Sequence, residues 1–515
     1  MHFYFTLILT PALLFSSLWH VDLSAESSPQ RIAMLYHGLD ATSVAQHLAF
    51  HTLYPQTQEG KQALSHAWQL LGGAGKEASL EGCLNTAPLV QALIALVNKQ
   101  PGDSLPALSS DELAALENLG SSFPNRRLKG YQAQQESDIL ALPAEEIDLA
   151  RGILLAQLGA QDKNLQRGYE ALIDLMALQI RARLPENAMP LDKIRLINQF
   201  LFEELEFHFP PHSLFAKDID TYTFLPSVLD SRKGVCLGVS VLYLCIAQRL
   251  NLPLEMVTPP GHIYVRYRDG DRHINIETTA RGIHLDSEEY LSINTHCLQE
   301  RNIKEVIGFT YVNEASVYSQ RGEYARAIEI YKKALPYLPE DFLVQEMLGF
   351  HYLLAGQKEE GIALLKTLCG RKSIDTIAAD VLLEDVLKEE GDTQGLQAIL
   401  LAVDETRESV LRKKDALKAA AEKFPQFREV LFSLAVTWIQ LHRNREALEV
   451  LSRYHQWDPT HPVVEYYLTL LHLECLDYPN AWKHFHQLGS ILQKAGYKPK
   501  LLKELRRTLC LTAPI

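Results

Sequence analysis

At 515 residues the chain has room for about three domains. Hydrophobic residues make up 47% and charged residues 22%, which excludes wholesale disorder. The formal net charge of −13 excludes a nucleic-acid backbone as the main partner, because phosphate binding needs concentrated lysine and arginine and no basic stripe is present.

From Phe3 to Trp19 the chain is almost continuously apolar, and Arg31 is its first lysine or arginine. Ser24-Ala25 offers a small-residue cleavage site ahead of the polar Glu26-Ser27-Ser28, so residues 1–25 read as a secretory signal peptide. The other readings are an uncleaved membrane anchor, for which the run is barely long enough, and a buried first helix. The first two place the protein in the periplasm, outside the cell or on a membrane through this segment alone. The third leaves it in the cytoplasm. Residues 26–135 are predicted helical with loop interruptions, as in Gln62–Leu71 and Ala87–Val97, and carry no chemical motif. A helical docking layer is the expectation there.

Glu145–Leu158 and Leu165–Arg183 space apolar residues by three and four, which predicts amphipathic helices. Lys193–Glu206 follows with a third apolar face. After a Phe/Pro/His-rich loop at His208–His212, Tyr222–Cys245 leads into another apolar helix. Past Pro253 the pattern turns to strands: Leu254–Val257, Ile263–Tyr267 and Ile274–Glu277. Asp269-Gly270 between the last two is a strong hairpin signal. From Arg301 the chain is predicted helical to its end.

That C-terminal half repeats with a period of 34. Ala315, Tyr318, Gly322, Tyr331 and Ala334 are followed by Gly349, Tyr352, Gly356, Leu365 and Leu368. Downstream, Leu434, Ala447 and Leu451 recur as Leu468, Ala481 and Phe485. A helix–turn–helix unit of this length is the TPR pattern. Residues 375–410 match only loosely, so about four to six hairpins are expected, some degenerate. Stacked hairpins of this kind bind a protein or peptide partner on their concave face, or else only stabilise the domain before them.

Seven cysteines are present: Cys83, Cys236, Cys245, Cys297, Cys369, Cys475 and Cys510. Their wide spacing suits neither a disulfide framework nor a zinc ribbon. Cys236 closes Ser231-Arg-Lys-Gly-Val-Cys and opens the apolar helix Leu237–Leu250, with Gly234 freeing the backbone for a sharp turn. At a helix N-terminus, unpaired N–H groups and the dipole favour a thiolate. His262 follows Pro259-Pro260-Gly261. If Asp269-Gly270 forms the turn, residue 266 faces 273 and 264 faces 275. His262 then faces Glu277, with Cβ atoms about 5 Å apart. A nucleophile, a base and an orienting carboxylate are then in place, with Asn275 as the alternative third member. Taken singly, Cys236 is an ordinary buried small residue, as Cys245 is within the helix. His262, His273, His284 and Cys297 lack metal-ligand spacing, so neither metal nor cofactor is expected.

The stretch Tyr222–Tyr267, with its Leu-Pro-Ser-Val-Leu-Asp-Ser-Arg-Lys-Gly run, Val241-Leu242-Tyr243-Leu244 and Pro260-Gly261-His262, resembles the SirB-type branch of the transglutaminase-like proteins. The Asn198–Leu205 helix fits as well. The resemblance covers roughly 145–370 and implies a papain-related fold with an ordered Cys, His and acid, here Cys236, His262 and Glu277. Two features depart from the branch. Its members commonly carry proline where this chain has Cys236, and Asp-Pro where it has Glu277 in Ile-Glu-Thr-Thr.

The fold expected is α+β: a helix-rich transglutaminase-like core with a small antiparallel sheet at 136–300, then an all-α TPR-like solenoid. Two repeats would occupy 301–372, and degenerate hairpins 373–515. The activity expected is a thiol enzyme acting on an amide bond, whether peptidase, deamidase or acyl transferase. The alternative is a non-catalytic scaffold that binds partner proteins through its repeats.

Overall fold

The computed structural model describes residues 28–71, 87–210, 219–371, 373–404 and 406–513. The apolar N-terminal run, Cys83 and the tip of the loop beyond residue 210 lie outside these. No helix among the described residues is long and apolar enough to cross a membrane. The chain divides into two units, one up to Thr86 and one from Ala87 to Ile515. Each is described by itself.

The first unit contains helices Pro29–His37, Val44–Leu53 and Gln58–Leu70. Ser28, Ser43 and Thr57 cap them by accepting from the backbone N–H three residues on. Their small shared core is Ile32, Phe50 and Ala63.

The second unit is built around one buried helix, Cys236–Arg249, whose side chains are enclosed on almost every side. Helices Leu149–Leu158 and Lys163–Arg181 pack against it, and so does an antiparallel sheet. The charges they bury are paired: Arg151 donates to Glu170 at 2.6 and 2.7 Å, and Asp174 is held by Arg126 and Arg249. The Pro190–Asn198 helix continues into a π-helical turn, Gln199–Glu204, within the segment expected to form one helix.

The sheet has four strands: β1 (Leu254–Thr258), β2 (Tyr264–Asp269), β3 (Arg272–Ile276) and β4 (Gln299–Arg301), in the order β3-β2-β1-β4. The fourth, three residues long, carries no sequence pattern. The hairpin register differs from the one expected. Asp269 pairs with Arg272, so Gly270-Asp271 makes the turn, with Gly270 at φ +59°. Arg266 therefore faces Asn275, and His273 faces Arg268 rather than Arg266. The partner positions move by two residues, an even step that leaves every side chain on its expected face.

From Asn302 the chain is helical. Asn302 and Glu305 form a capping box for Ile303–Gln320. That helix and Tyr324–Ala334 form the first hairpin, and Phe342–Leu354 with Lys358–Leu368 the second. Among the described residues three more follow: Val381–Leu387 with Thr393–Leu400, Arg428–Gln440 with Asn444–Trp457, and Pro462–Glu474 with Tyr478–Lys494. The single helices Arg407–Lys423 and Lys500–Thr512 accompany them. Of the residues that recur with the 34-residue period, the alanines Ala315, Ala334, Ala447 and Ala481 are fully buried.

The first repeat helix is also part of the core before it. From it Tyr311 donates to Glu136 at 2.7 Å and Lys304 to the carbonyls of Leu140 and Leu142, while Tyr337, just past the second helix, donates to Glu136 at 3.0 Å.

Candidate active site

Cys236 is the first residue of its helix and is partly exposed. No side chain caps this terminus, so the first-turn N–H groups are oriented toward the sulfur's surroundings. The geometry before it is not the one expected of Gly234. Arg232 takes the left-handed conformation, at φ 56°. A side chain at Gly234 would instead lie 2.4 Å from Val239, so close approach is what requires glycine there. Gly238 is tighter still, because a Cβ would stand 2.2 Å from the Tyr222 carbonyl.

His262 is placed by a type II turn. Its N–H donates to the Pro259 carbonyl at 3.1 Å, and Gly261 between them has φ +70°. The ring bonds Glu277 through Nε2 at 2.7 Å, and the Cys236 side chain is near enough to favour the protonated ring. Burial works to lower the imidazole's pKa. Hydrogen bonds and attraction from Cys236 and Glu277 outweigh it and push the pKa up to about 9.

Glu277 lies one residue past β3 and is only 4% exposed. Its Oε2 accepts from His262 and from Tyr290 Oη at 2.8 Å, and its Oε1 from the Thr279 N–H at 3.1 Å and Thr279 Oγ1 at 2.6 Å. Burial tends to raise the carboxyl's pKa, but these donors hold it below the usual carboxylate range. Glu277 thus caps the short turn Thr278–Ala280 while reaching His262, a span its extra methylene allows. Ser240, one helical turn beyond Cys236, bonds Thr278 at 3.0 Å and ties the helix to this turn.

Asn275 does not approach His262. Its register partner is Arg266, whose Nε donates to Asn275 Oδ1 at 2.9 Å, and its amide donates to the Leu285 carbonyl at 2.7 Å. Both Asn275 and Arg266 are buried. The sequence reading missed Tyr290. Besides bonding Glu277, it stacks on Tyr264 at 4.3 Å and on His262 at 5.9 Å. It lies in a loop with no motif, so nothing in the sequence marks it.

His284 Nδ1 bonds the Asn275 backbone, and Cys297 Sγ lies 3.4 Å from the Ile374 carbonyl. One cluster among the described residues could hold a metal ion: His455, Glu465 and His484, with ligand atoms within 4.8 Å of one another. The Nδ1 atoms stand 2.6 and 2.8 Å from the fully buried Glu465 carboxylate. The His484 contact is a hydrogen bond, whereas His455 Nδ1 and Glu465 Oε1 have no hydrogen-bond partner among the described residues; both separations are shorter than the about 3.3 Å between ligands of a tetrahedral zinc.

Cys236 and His262 open onto a cleft of about 1690 Å³ that continues along the repeat helices as far as Glu429 and His461. This exceeds the usual size of a small-molecule pocket and suits a peptide segment.

Residues 167–305, which hold Cys236, His262, Glu277 and Tyr290, match a family model described as the transglutaminase-like superfamily. The chain is 28% identical over 128 residues to a UPF0162 protein of Xylella fastidiosa, covering 25% of this chain and 43% of that protein. It is 33% identical over 86 residues to a UPF0162 protein of Pasteurella multocida, covering 17% and 31%. Human F-box only protein 21 is 24% identical over 340 residues, covering 58% of this chain and 50% of that one. The chain thus spans half or less of each relative's length. Among solved structures, MamA is 17% identical with a TM-score of 0.21, covering 35% of this chain and 94% of that one. Pseudomonas aeruginosa PilF is 13% identical with a TM-score of 0.22, covering 40% and 85%. Scores this low establish no shared global fold.

Proposed function

We propose that the protein is a thiol-dependent enzyme acting on an amide bond, with Cys236 as nucleophile, His262 as acid and base, and Glu277 as the carboxylate that orients the imidazole. The observation that carries this reading is His262 itself. It stands between the thiol and a buried carboxylate at 2.7 Å, at the mouth of a cleft sized for a peptide. In the step this supports, Cys236 Sγ, its proton transferred to His262, attacks the amide carbon and forms the C–S bond. The oxygen takes the negative charge against the Cys236 N–H and the helix terminus. Collapse breaks the C–N bond, and His262 returns its proton to the leaving amine. Water or a second amine then releases the acyl group from the thioester. The match of residues 167–305 to the transglutaminase-like superfamily supports the same assignment.

The test is the alkylation of the cysteines by iodoacetamide at pH 6.0 and 7.5, followed by peptide mass spectrometry, in the wild type, His262→Ala and Glu277→Gln. Cys236 should react at least tenfold faster than the exposed Cys369 and Cys510, and His262→Ala should remove that advantage. A Cys236 no faster than those two, and indifferent to His262, overturns the enzyme reading. The scaffold reading, resting on the repeats alone, would then stand.

A further inference from the structure

The far end of the cleft, walled by the repeat helices, holds a group of polar side chains that the fold leaves incomplete. Glu346 is 3% exposed, and its Oε1 meets no donor among the described residues; its close polar neighbour is the Asp380 carboxyl. The Tyr454 hydroxyl, 1% exposed, and His461 Nδ1 have no hydrogen-bond partner among the described residues, and all three residues line this one cleft. A buried polar atom without a partner costs about 1–3 kcal/mol, so native interiors keep few of them. Three on one wall mark a surface shaped for something else.

The titratable groups on that wall include three carboxyls with no cation paired to them. Asp380 and Glu429 line the wall beside Glu346, and none of the three carboxyls makes an ion pair among the described residues. The nearby cations are engaged elsewhere. Arg428 donates to Asp385 at 2.9 Å and Glu384 at 3.0 Å, and Lys413 donates to the Ile399 carbonyl at 2.8 Å. Burial, then the charge of Asp380 and a hydrogen bond shared with it, then Glu429, pushes the Glu346 carboxyl up to about 9. Burial, then Asp380, pushes Glu429 up to about 8 despite Ser433 and Lys413. Three carboxyls crowded without a counterion are relieved by a cation placed among them. Phe342, Met347 and Phe432 beside them offer apolar surface for an aliphatic stem.

We propose that this end of the cleft is a docking pocket for an arginine or lysine side chain of a peptide segment. Glu346, Asp380 and Glu429 would receive its N–H donors while the segment extends toward Cys236. The substrate class is then a basic peptide or protein, which suits a chain of net charge −13. The proposal rests on the enzyme reading only for what happens at Cys236, not for the binding.

The test uses the full chain carrying Cys236→Ser, so that nothing turns over. The probes are two fluorescein-labelled decapeptides, five Arg-Gly units and five citrulline-Gly units, the second having the same shape without the charge. Binding is read by fluorescence anisotropy at 0.15 M salt. The arginine peptide should bind at least tenfold tighter than the citrulline peptide. Glu346→Gln, Asp380→Asn and Glu429→Gln together should bring the two within twofold, while the exposed pair Glu359→Gln and Glu360→Gln, outside the cleft lining, should not. The asparagine keeps the cap that Asp380 provides for Val381–Leu387. Glu429→Gln alone, expected to cost threefold or more, serves if the triple variant fails to melt cooperatively. A wild-type preference below twofold, or one that survives these substitutions, overturns the pocket. Fast alkylation of Cys236 with no arginine preference would overturn the pocket alone. An arginine preference with an inert Cys236 would overturn the enzyme reading alone.

Discussion

His262 holds its proton because two acidic groups flank one ring, and that proton links the candidate chemistry to stability. Its folded pKa of about 9 lies above the ordinary value of 6.5. The sign follows: the proton's contribution is complete below about pH 6.5 and disappears as pH rises through about 9. Glu277, lowered by its donors, behaves oppositely and loses its contribution as pH falls through its depressed pKa. With 29% of the His262 side chain exposed, screening reduces the effect to about 1–2 kcal/mol. Urea unfolding of wild type and His262→Ala should therefore show a stability gap that narrows by about 1–2 kcal/mol between pH 6 and pH 10. A gap that does not change with pH would mean that Cys236 and Glu277 do not hold the proton. At this scale the sequence was informative where one residue type announces itself, as with a cysteine before an apolar helix or a histidine after Pro-Pro-Gly. It was silent on Tyr290 and Thr279, which set the carboxylate's charge but sit in turns without a pattern.

Among the elements, the hairpin shows how a wrong register can still give the right neighbours. Asp269-Gly270 and Gly270-Asp271 are both plausible two-residue turns, and local sequence does not decide between them. Because the choices differ by an even number of pairings, Glu277 stays on the His262 face and reaches it diagonally. Asn275 stays on that face too, but comes opposite Arg266 and is taken by it. The helix start is fixed more rigidly. At Gly238 a methyl group would stand 2.2 Å from the Tyr222 carbonyl, which also receives the Val235 N–H at 3.2 Å. Gly238→Ala must push the Tyr222 strand of backbone off the helix terminus, at a cost of about 1–3 kcal/mol. The expected outcome is a lower urea midpoint together with Cys236 alkylation slowed at least threefold. Unchanged alkylation in the destabilised variant would separate the helix terminus from the reactivity of the thiol.

Across residues 87–515, the repeats are tied to the core at both of their ends. The first repeat helix is buried against Leu149–Leu158, and the last helices meet the loop that follows the candidate site. Ile293 of that loop sits in the same apolar cluster as Leu473, Phe485, Leu488 and Leu509. Tyr497 donates to the carbonyls of Ser292 and Thr295 at 3.1 and 2.9 Å. The 34-residue period made the hairpins legible but not this return, because it depends on single residues about 200 positions apart with no periodicity of their own. The connection matters because Tyr290, the donor to Glu277, belongs to the same loop three residues before Ile293. The repeats are thereby linked through one loop to the donor on the carboxylate that bonds His262. Tyr497→Phe removes the one hydroxyl proton that these two carbonyls share, worth about 1 kcal/mol, without altering the candidate site itself. Hydrogen exchange should then quicken across residues 287–297, and Cys236 alkylation at pH 6 should fall about threefold, with Cys369 unaffected. Faster exchange with unchanged alkylation would show that Glu277 keeps its place without support from the repeats, and occupants of the cleft could then act on the thiol only through direct contact.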